Sequence, residues 1–289
     1  MATATAVPTL ETGGEARLNP SPFALLAAPM AWISVFYLVP LGLLLLHAFW
    51  SVDYLTIDRT PTLDNLRTVA GNPLYPTVLL RTFLIAAAVT LTDVVLAFPI
   101  AFFMAKVARS RTRALLVIAV VMPLWSSYLV KVYSWRIILA EDGILNWALS
   151  PLGLSGPGFG NVATWLVFSY LWLPYMILPV YAALERIPDS LLDASGDLGG
   201  GAGMTFRRVV LPLALPGVVA GSIFTFSLTL GDYITPQIVS STQFIGNVVY
   251  TNVGVANNLP LAAAFATVPV VIMILYLLAA RRLGAFESL

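Results

Sequence analysis

Six stretches of this chain, residues 23–50, 81–106, 114–139, 162–184, 211–239 and 260–280, are apolar with few or no charged side chains. A hydrocarbon core of about 30 Å requires about 20 apolar residues as a helix, and each stretch reaches that length. In lipid every backbone polar group must be bonded within the protein, which leaves helices or closed barrels. The two-residue alternation of a barrel strand is absent, so the expectation is an all-α integral membrane protein with six transmembrane helices. Composition agrees: 59% of the 289 residues are hydrophobic and 10% are charged, against about 25% charged in soluble domains. The domain reading is a polar segment over residues 1–22 and one six-span domain over 23–289. The first apolar run is too long for a signal-peptide core and is expected to be retained as span one.

Lysine and arginine set the expected orientation. With both termini cytoplasmic, the inner side carries Arg17, Lys106, Arg109, Arg111, Arg113, Arg186, Arg207, Arg208, Arg281 and Arg282, ten of the fifteen. The loop KVARSRTR is the clearest inside marker.

Material for catalysis is scarce. The chain has no cysteine and one histidine, His47, and neither of its lysines, Lys106 and Lys131, sits in a G-x-x-x-x-G-K-[ST] loop. No HExxH or GxSxG signature accompanies the acids. No cofactor is expected in this chain, and any ATP energy must be released on another one.

The segment 189–212 is polar between two apolar runs. Ser190-Leu-Leu-Asp193 has the form of a helix cap, so a short helix is expected from about residue 190. Gly196, Gly199, Gly200, Gly201 and Gly203 each cost about 1 kcal/mol in a helix interior, which predicts a turn there and a second helix near Met204. Arg207 and Arg208 then stand at the membrane surface before Leu211-Pro212.

This segment resembles the EAA motif of the membrane subunits of ABC importers. Asp193-Ala194-Ser195, Gly199, Val209 and Leu211-Pro212 keep its spacing, with Asp for Glu and Ser for Ala. The resemblance implies the type I ABC importer permease fold, in the bacterial inner membrane. It makes Asp193, Ala194, Ser195, Gly199, Arg207 and Arg208 the contact through which a cytoplasmic ATPase drives transport. The implied partners are two ATPase subunits, which bind ATP and magnesium, a homologous second permease, an extracytoplasmic solute-binding protein and the lipid bilayer. No nucleic-acid partner is expected.

The stretches PLWSSYLVKVYSWRIILAEDGILNWAL, LTLGDYITPQIV and IGNVVYTNV resemble permeases of the spermidine/putrescine type, closer to the first of their two subunits. That implies a polyamine or related small organic ion as substrate. Acids at membrane depth face a cavity or a partner, and an amine needs negative charge and aromatic faces. The candidate pathway residues are therefore Asp232, Tyr233, Asp93, Trp125, Tyr128, Trp135, Trp172 and Tyr175. An interhelical pair of Asp93 with Lys131 or Arg136 is the alternative for that acid. Gly217-Val-Val-Ala-Gly221 reads as a close helix crossing or as the face where two permease chains meet. An ion-coupled secondary transporter and a channel subunit are the competing readings of the whole chain.

Overall fold

The computed structural model of the protein describes residues 22–53 and 56–282. The expected cytoplasmic segment, residues 1–22, lies outside this range except for Pro22. The chain divides into two units, one ending at Leu44 and the other beginning at Leu45.

The first unit holds α1 (Pro22–Ile33), a widened turn at Ser34–Leu38 and most of α2 (Val39–His47). Within the turn the Val39 amide bonds the Ser34 carbonyl, five residues back. Pro40 explains it. A helical proline crowds the carbonyl four residues earlier, and a widened turn moves that carbonyl aside without ending the helix.

In the second unit a small antiparallel hairpin of β1 (Ser51–Asp53) and β2 (Thr56–Asp58), with Ser51 opposite Asp58, is followed by α3 (Asp64–Gly71). Asn65 on α3 donates to the carbonyls of Ala48 and Trp50 and so fixes this connection. The remaining helices are α4 (Leu74–Phe102), α5 (Ser110–Trp125), α6 (Tyr128–Leu139), α7 (Ile144–Leu149), α8 (Asn161–Glu185), α9 (Asp189–Asp197), α10 (Ala202–Thr205), α11 (Leu211–Gly231), α12 (Ile234–Val239), α13 (Ile245–Gly254) and α14 (Leu259–Arg282). Widened turns at Phe103–Val107 and Phe206–Val210 extend α4 and precede α11; the second stands just before Pro212, as the first unit's turn stands before Pro40.

Among the described residues, five helical runs are long and apolar enough to cross a membrane, and α5 with α6 makes a sixth if counted together. That pair corrects the expected single helix over 114–139: the two helices bend by 93°. Ser126 and Ser127 are extended, and the Pro123 carbonyl accepts from the Ser126 amide, the Ser126 hydroxyl and the Lys131 ammonium. The last turn of α5 is thus closed by side chains, with a cation at the negative end of the helix dipole. The expected span over 211–239 also stops early: α11 ends at Gly231, Asp232 is extended and α12 is separate.

The core lies where α4, α8 and α11 pack. Ala97, Ala101 and Met104 of α4 and its extension meet Met176, Ile177, Val180 and Leu184 of α8 and Ala214 of α11. Nearer the start of α8, Val89 packs with Val167, Phe168, Leu171 and Trp172. The Gly217 and Gly221 pair is an intrachain crossing. A Cβ on Gly217 would lie 2.5 Å from the Ala183 Cβ and 2.6 Å from the Pro179 carbonyl, and one on Gly221 would lie 2.7 Å from the Met176 sulfur. This glycine face is therefore occupied by α8, which removes it as the meeting face of two permease chains.

Candidate functional site

Two places carry the residues singled out above: the α9 to α10 connection, and a cleft beside the end of α11.

Helix α9 begins at Asp189 with Pro188 at its cap, and no side-chain capping bond forms there. The helix stands where it was expected, from about residue 190, but its cap is Pro188 and the expected Ser190 capping bond does not form. At the other end Leu198 caps the helix, the Gly199 amide bonds the Gly196 carbonyl and the Gly200 amide bonds the Ser195 carbonyl. These two bonds are the Schellman arrangement, which requires a left-handed residue after the cap. Gly199 supplies it, with φ of 78°. Gly200 is constrained differently, since a Cβ there would lie 2.6 Å from the Ser195 carbonyl. The Ser195 and Thr205 hydroxyls bond at 2.7 Å and tie α9 to α10. The turn predicted from the glycines thus has a defined hydrogen-bonded geometry, and the second helix starts at Ala202, two residues before the expected position.

Around this turn Asp193, Ala194, Gly199, Arg207 and Arg208 are exposed and Ser195 is half-buried. The turn also displays a residue that sequence reasoning passed over. Leu198 is 90% exposed at its tip, with Met204 and Leu191 exposed nearby. The available signal was a leucine directly before the run of glycines in a polar loop.

The cleft encloses about 330 Å³ and is lined by Tyr128, Trp172, Ser227, Leu228, Gly231, Asp232, Tyr233 and Ile234. Four of the eight pathway candidates meet here, from α6, α8 and the break after α11. The rings of Tyr128 and Trp172 stack with centroids 6.0 Å apart, and Tyr233 stacks on Tyr250 at 4.8 Å. Tyr233 also lines a neighbouring cleft of about 370 Å³ with Gly246 and Tyr250, neither of which was a candidate.

The Asp232 carboxylate is held by four donors of this chain. Oδ1 accepts from the Ile234 and Thr235 amides at 2.7 and 3.2 Å, which satisfies the opening turn of α12. Oδ2 accepts from the Thr235 hydroxyl and from the Tyr128 hydroxyl. Four donors thus occupy the lone-pair positions of the carboxylate, which leaves its charge and the Tyr128 ring, rather than a free oxygen, toward the cleft.

The other four candidates stand apart from the cleft lining. Tyr175 packs edge-on behind Trp172, Trp135 packs on Tyr170, and Trp125 is 89% exposed at the end of α5. Asp93 is fully buried on the face of α4 that carries Val89 and Ala97. Neither of its oxygens has a hydrogen-bond partner among the described residues. The alternative pair with Lys131 or Arg136 does not form: Lys131 caps α5, and the Arg136 guanidinium stands 5.8 Å from the Phe159 ring centroid. The Ser169 hydroxyl and Trp172 indole N–H on α8 are the other buried side-chain polar atoms without a partner among the described residues. A buried polar group without a hydrogen-bond partner costs free energy that an apolar residue of similar volume does not. Asp93→Val is expected to raise the midpoint of thermal unfolding in detergent. A lowered midpoint would mean that this acid holds helices together.

The sequence matches the family model described as the binding-protein-dependent transport system inner membrane component over residues 87–285. It is 47% identical to the inner membrane ABC transporter permease protein YdcU of Escherichia coli (strain K12), over 92% of this chain and 91% of that protein. It is 31% identical to the spermidine/putrescine transport system permease protein PotB of Haemophilus influenzae, over 85% of this chain and 87% of that protein. Among solved structures, a chain of the bacterial alginate ABC transporter, in complex with its alginate pentasaccharide-bound periplasmic protein, aligns with a TM-score of 0.74. The identity is 16%, over 91% of this chain and 93% of that one. The inward-facing MetNI methionine ABC transporter aligns with a TM-score of 0.57 at 18% identity, over 72% of this chain and 94% of that one. At these identities the structural likenesses concern the fold alone.

Proposed function

The chain belongs to the binding-protein-dependent transport system inner membrane component family, and from that premise we propose that it passes a small organic cation of the polyamine class through the bacterial inner membrane. It is a multi-pass permease subunit of an ABC importer with the type I fold, and it is not itself an enzyme. The family implies a separate ATPase and a solute-binding protein as partners.

The α9 to α10 connection is the surface that the ATPase grips. An exposed leucine on a hydrogen-bonded turn, flanked by small residues, suits a partner that approaches closely and covers apolar surface. The arginine-rich side, with both chain termini, faces the cytoplasm, as the Lys and Arg distribution supports. A homologous second permease completes the membrane pathway.

For the substrate the carrying observation is the cleft, which Asp232 lines together with the rings of Tyr128, Trp172 and Tyr233. An ammonium gains from both, by Coulomb attraction at reduced dielectric and by cation–π contact worth about 0.5–2 kcal/mol per ring. The name of the relative PotB supports the polyamine class. The test is uptake of putrescine, spermidine, amino acids and organic anions by the assembled importer. Polyamine uptake is expected, falling at least about tenfold in Asp232→Asn, equivalent to a loss of about 1.4 kcal/mol. Tyr128→Phe, which keeps the ring, is expected to lose less. Preferred uptake of an anion, or unchanged polyamine uptake in Asp232→Asn, would contradict the proposal.

A further inference from the structure

The widened turn Phe103–Val107 at the end of α4 is held by two cations that reach three other elements. Lys106, whose side chain is 9% exposed, donates to the Ile187 carbonyl at 2.5 Å and to the Asp189 carboxylate at 2.9 Å. Ile187 belongs to the short link between α8 and α9, and Asp189 is the first residue of α9. Arg113 of α5 donates to the Met104 and Ala105 carbonyls, each at 3.0 Å, and stands 3.5 Å from Glu185 on the last turn of α8. Tyr181 donates to the same Glu185 carboxylate.

Each contact has a plain local cause. Helix ends leave carbonyls without intrahelical donors and carry partial negative charge, so a cation there is favourable. Arg113 meets that need for α4, and Lys106 meets it for α8. The second effect is mechanical. Between α8 and α9 lie residues 186–188, with Pro188 extended, so helical hydrogen bonding does not carry through from one to the other. Lys106 fastens the first residue of α9 to a membrane helix across that break. Its hydrogen bond holds the Asp189 carboxyl below the usual carboxylate range, with Arg113 adding to the effect.

We propose that Lys106 and Arg113 are the positioning residues that convert movement of α9 into movement of α4 and α5, so that the force of ATP binding reaches the transport pathway instead of being absorbed at Pro188. This rests on the reading of α9 as the ATPase contact. The carbonyl bond to Ile187 and the carboxylate bond to Asp189 make Lys106 the joint, and Arg113 extends the joint to α5. A solvent-exposed ion pair alone contributes little to stability. The half of this joint that matters for stability is the buried ammonium on a helix-end carbonyl.

The test uses the importer assembled with its ATPase and binding protein in proteoliposomes, and reads substrate moved per ATP hydrolysed. Lys106→Met is expected to lower that ratio at least tenfold while the ATPase still co-purifies, and Lys106→Arg, which keeps the charge and the donors, to restore most of it. Asp189→Ala, at an exposed position that leaves the Ile187 bond intact, is expected to lower the ratio several-fold and covers the case in which Lys106→Met fails to assemble. A wild-type ratio in Lys106→Met, or in Asp189→Ala where the first variant does not assemble, overturns the proposal. Cross-linking from Leu198 to the ATPase separates the two readings: an adduct in Lys106→Met with a lowered ratio places the fault in transmission, and no adduct even in the parent protein places it in the reading of α9.

Discussion

Gly217→Ala is expected to lower the thermal unfolding midpoint of this protein in detergent markedly, although it adds a single methyl group. The added carbon meets the Ala183 Cβ at 2.5 Å and the Pro179 carbonyl at 2.6 Å, groups fixed to the backbone of α8. Neither can swing aside, so α8 and α11 must separate, and the packing that unites α4, α8 and α11 opens with them. Overpacking of this kind costs about 1–3 kcal/mol or more, and membrane helices depend on close packing because lipid supplies no hydrophobic force between them. Gly221→Ala is the internal comparison. Its first contact is the Met176 sulfur at 2.7 Å, the mobile part of a flexible side chain, with the Met176 backbone further off at 3.1 and 3.2 Å. The midpoint should therefore fall less for Gly221→Ala than for Gly217→Ala. Equal midpoints, or a larger fall for Gly221→Ala, would contradict the packing described for this crossing.

Much of this was legible in the sequence, because long apolar runs admit few structures in lipid. The helices near 81–106, 162–184 and 260–280 stand where those runs placed them, and the glycine-led turn after α9 follows from the cost of glycine in a helix. The bend between α5 and α6 was hidden in a continuous apolar run; the physical signal was a proline followed three residues later by a serine, Ser126, able to bond its carbonyl. Asp232 was found as a charge at the end of a span. What it does there depends on Tyr128, 104 residues earlier in the chain, and no local pattern shows such a contact. The same holds for Lys131, which serves α5 rather than Asp93. Family membership settles the choice between an ABC importer permease and the secondary-transporter or channel readings.

The second large effect is expected at Gly199. With φ of 78°, it lies in a region where an L-residue costs about 1–2 kcal/mol, and a β-branched side chain is worse placed still. Gly199→Val should break the paired bonds from Gly199 and Gly200 to the end of α9, and with them the position of Leu198 at the tip of the turn. The spans should remain folded, since Gly199 is exposed and a Cβ there meets nothing within 4 Å. The loss should therefore appear in ATPase association rather than in the unfolding midpoint. An unchanged association would mean that the turn geometry is not what the ATPase reads.

The chain has no cysteine, so Leu198→Cys introduces one thiol into it. A photoactivated cross-linker attached there, in the assembled importer, measures directly whether the α9 to α10 connection touches the ATPase. The expected result is a covalent adduct between this chain and the ATPase that is strongly reduced when Gly199→Val is added. No adduct from Leu198→Cys, in a complex that still hydrolyses ATP and transports substrate, would contradict the coupling role assigned to this segment.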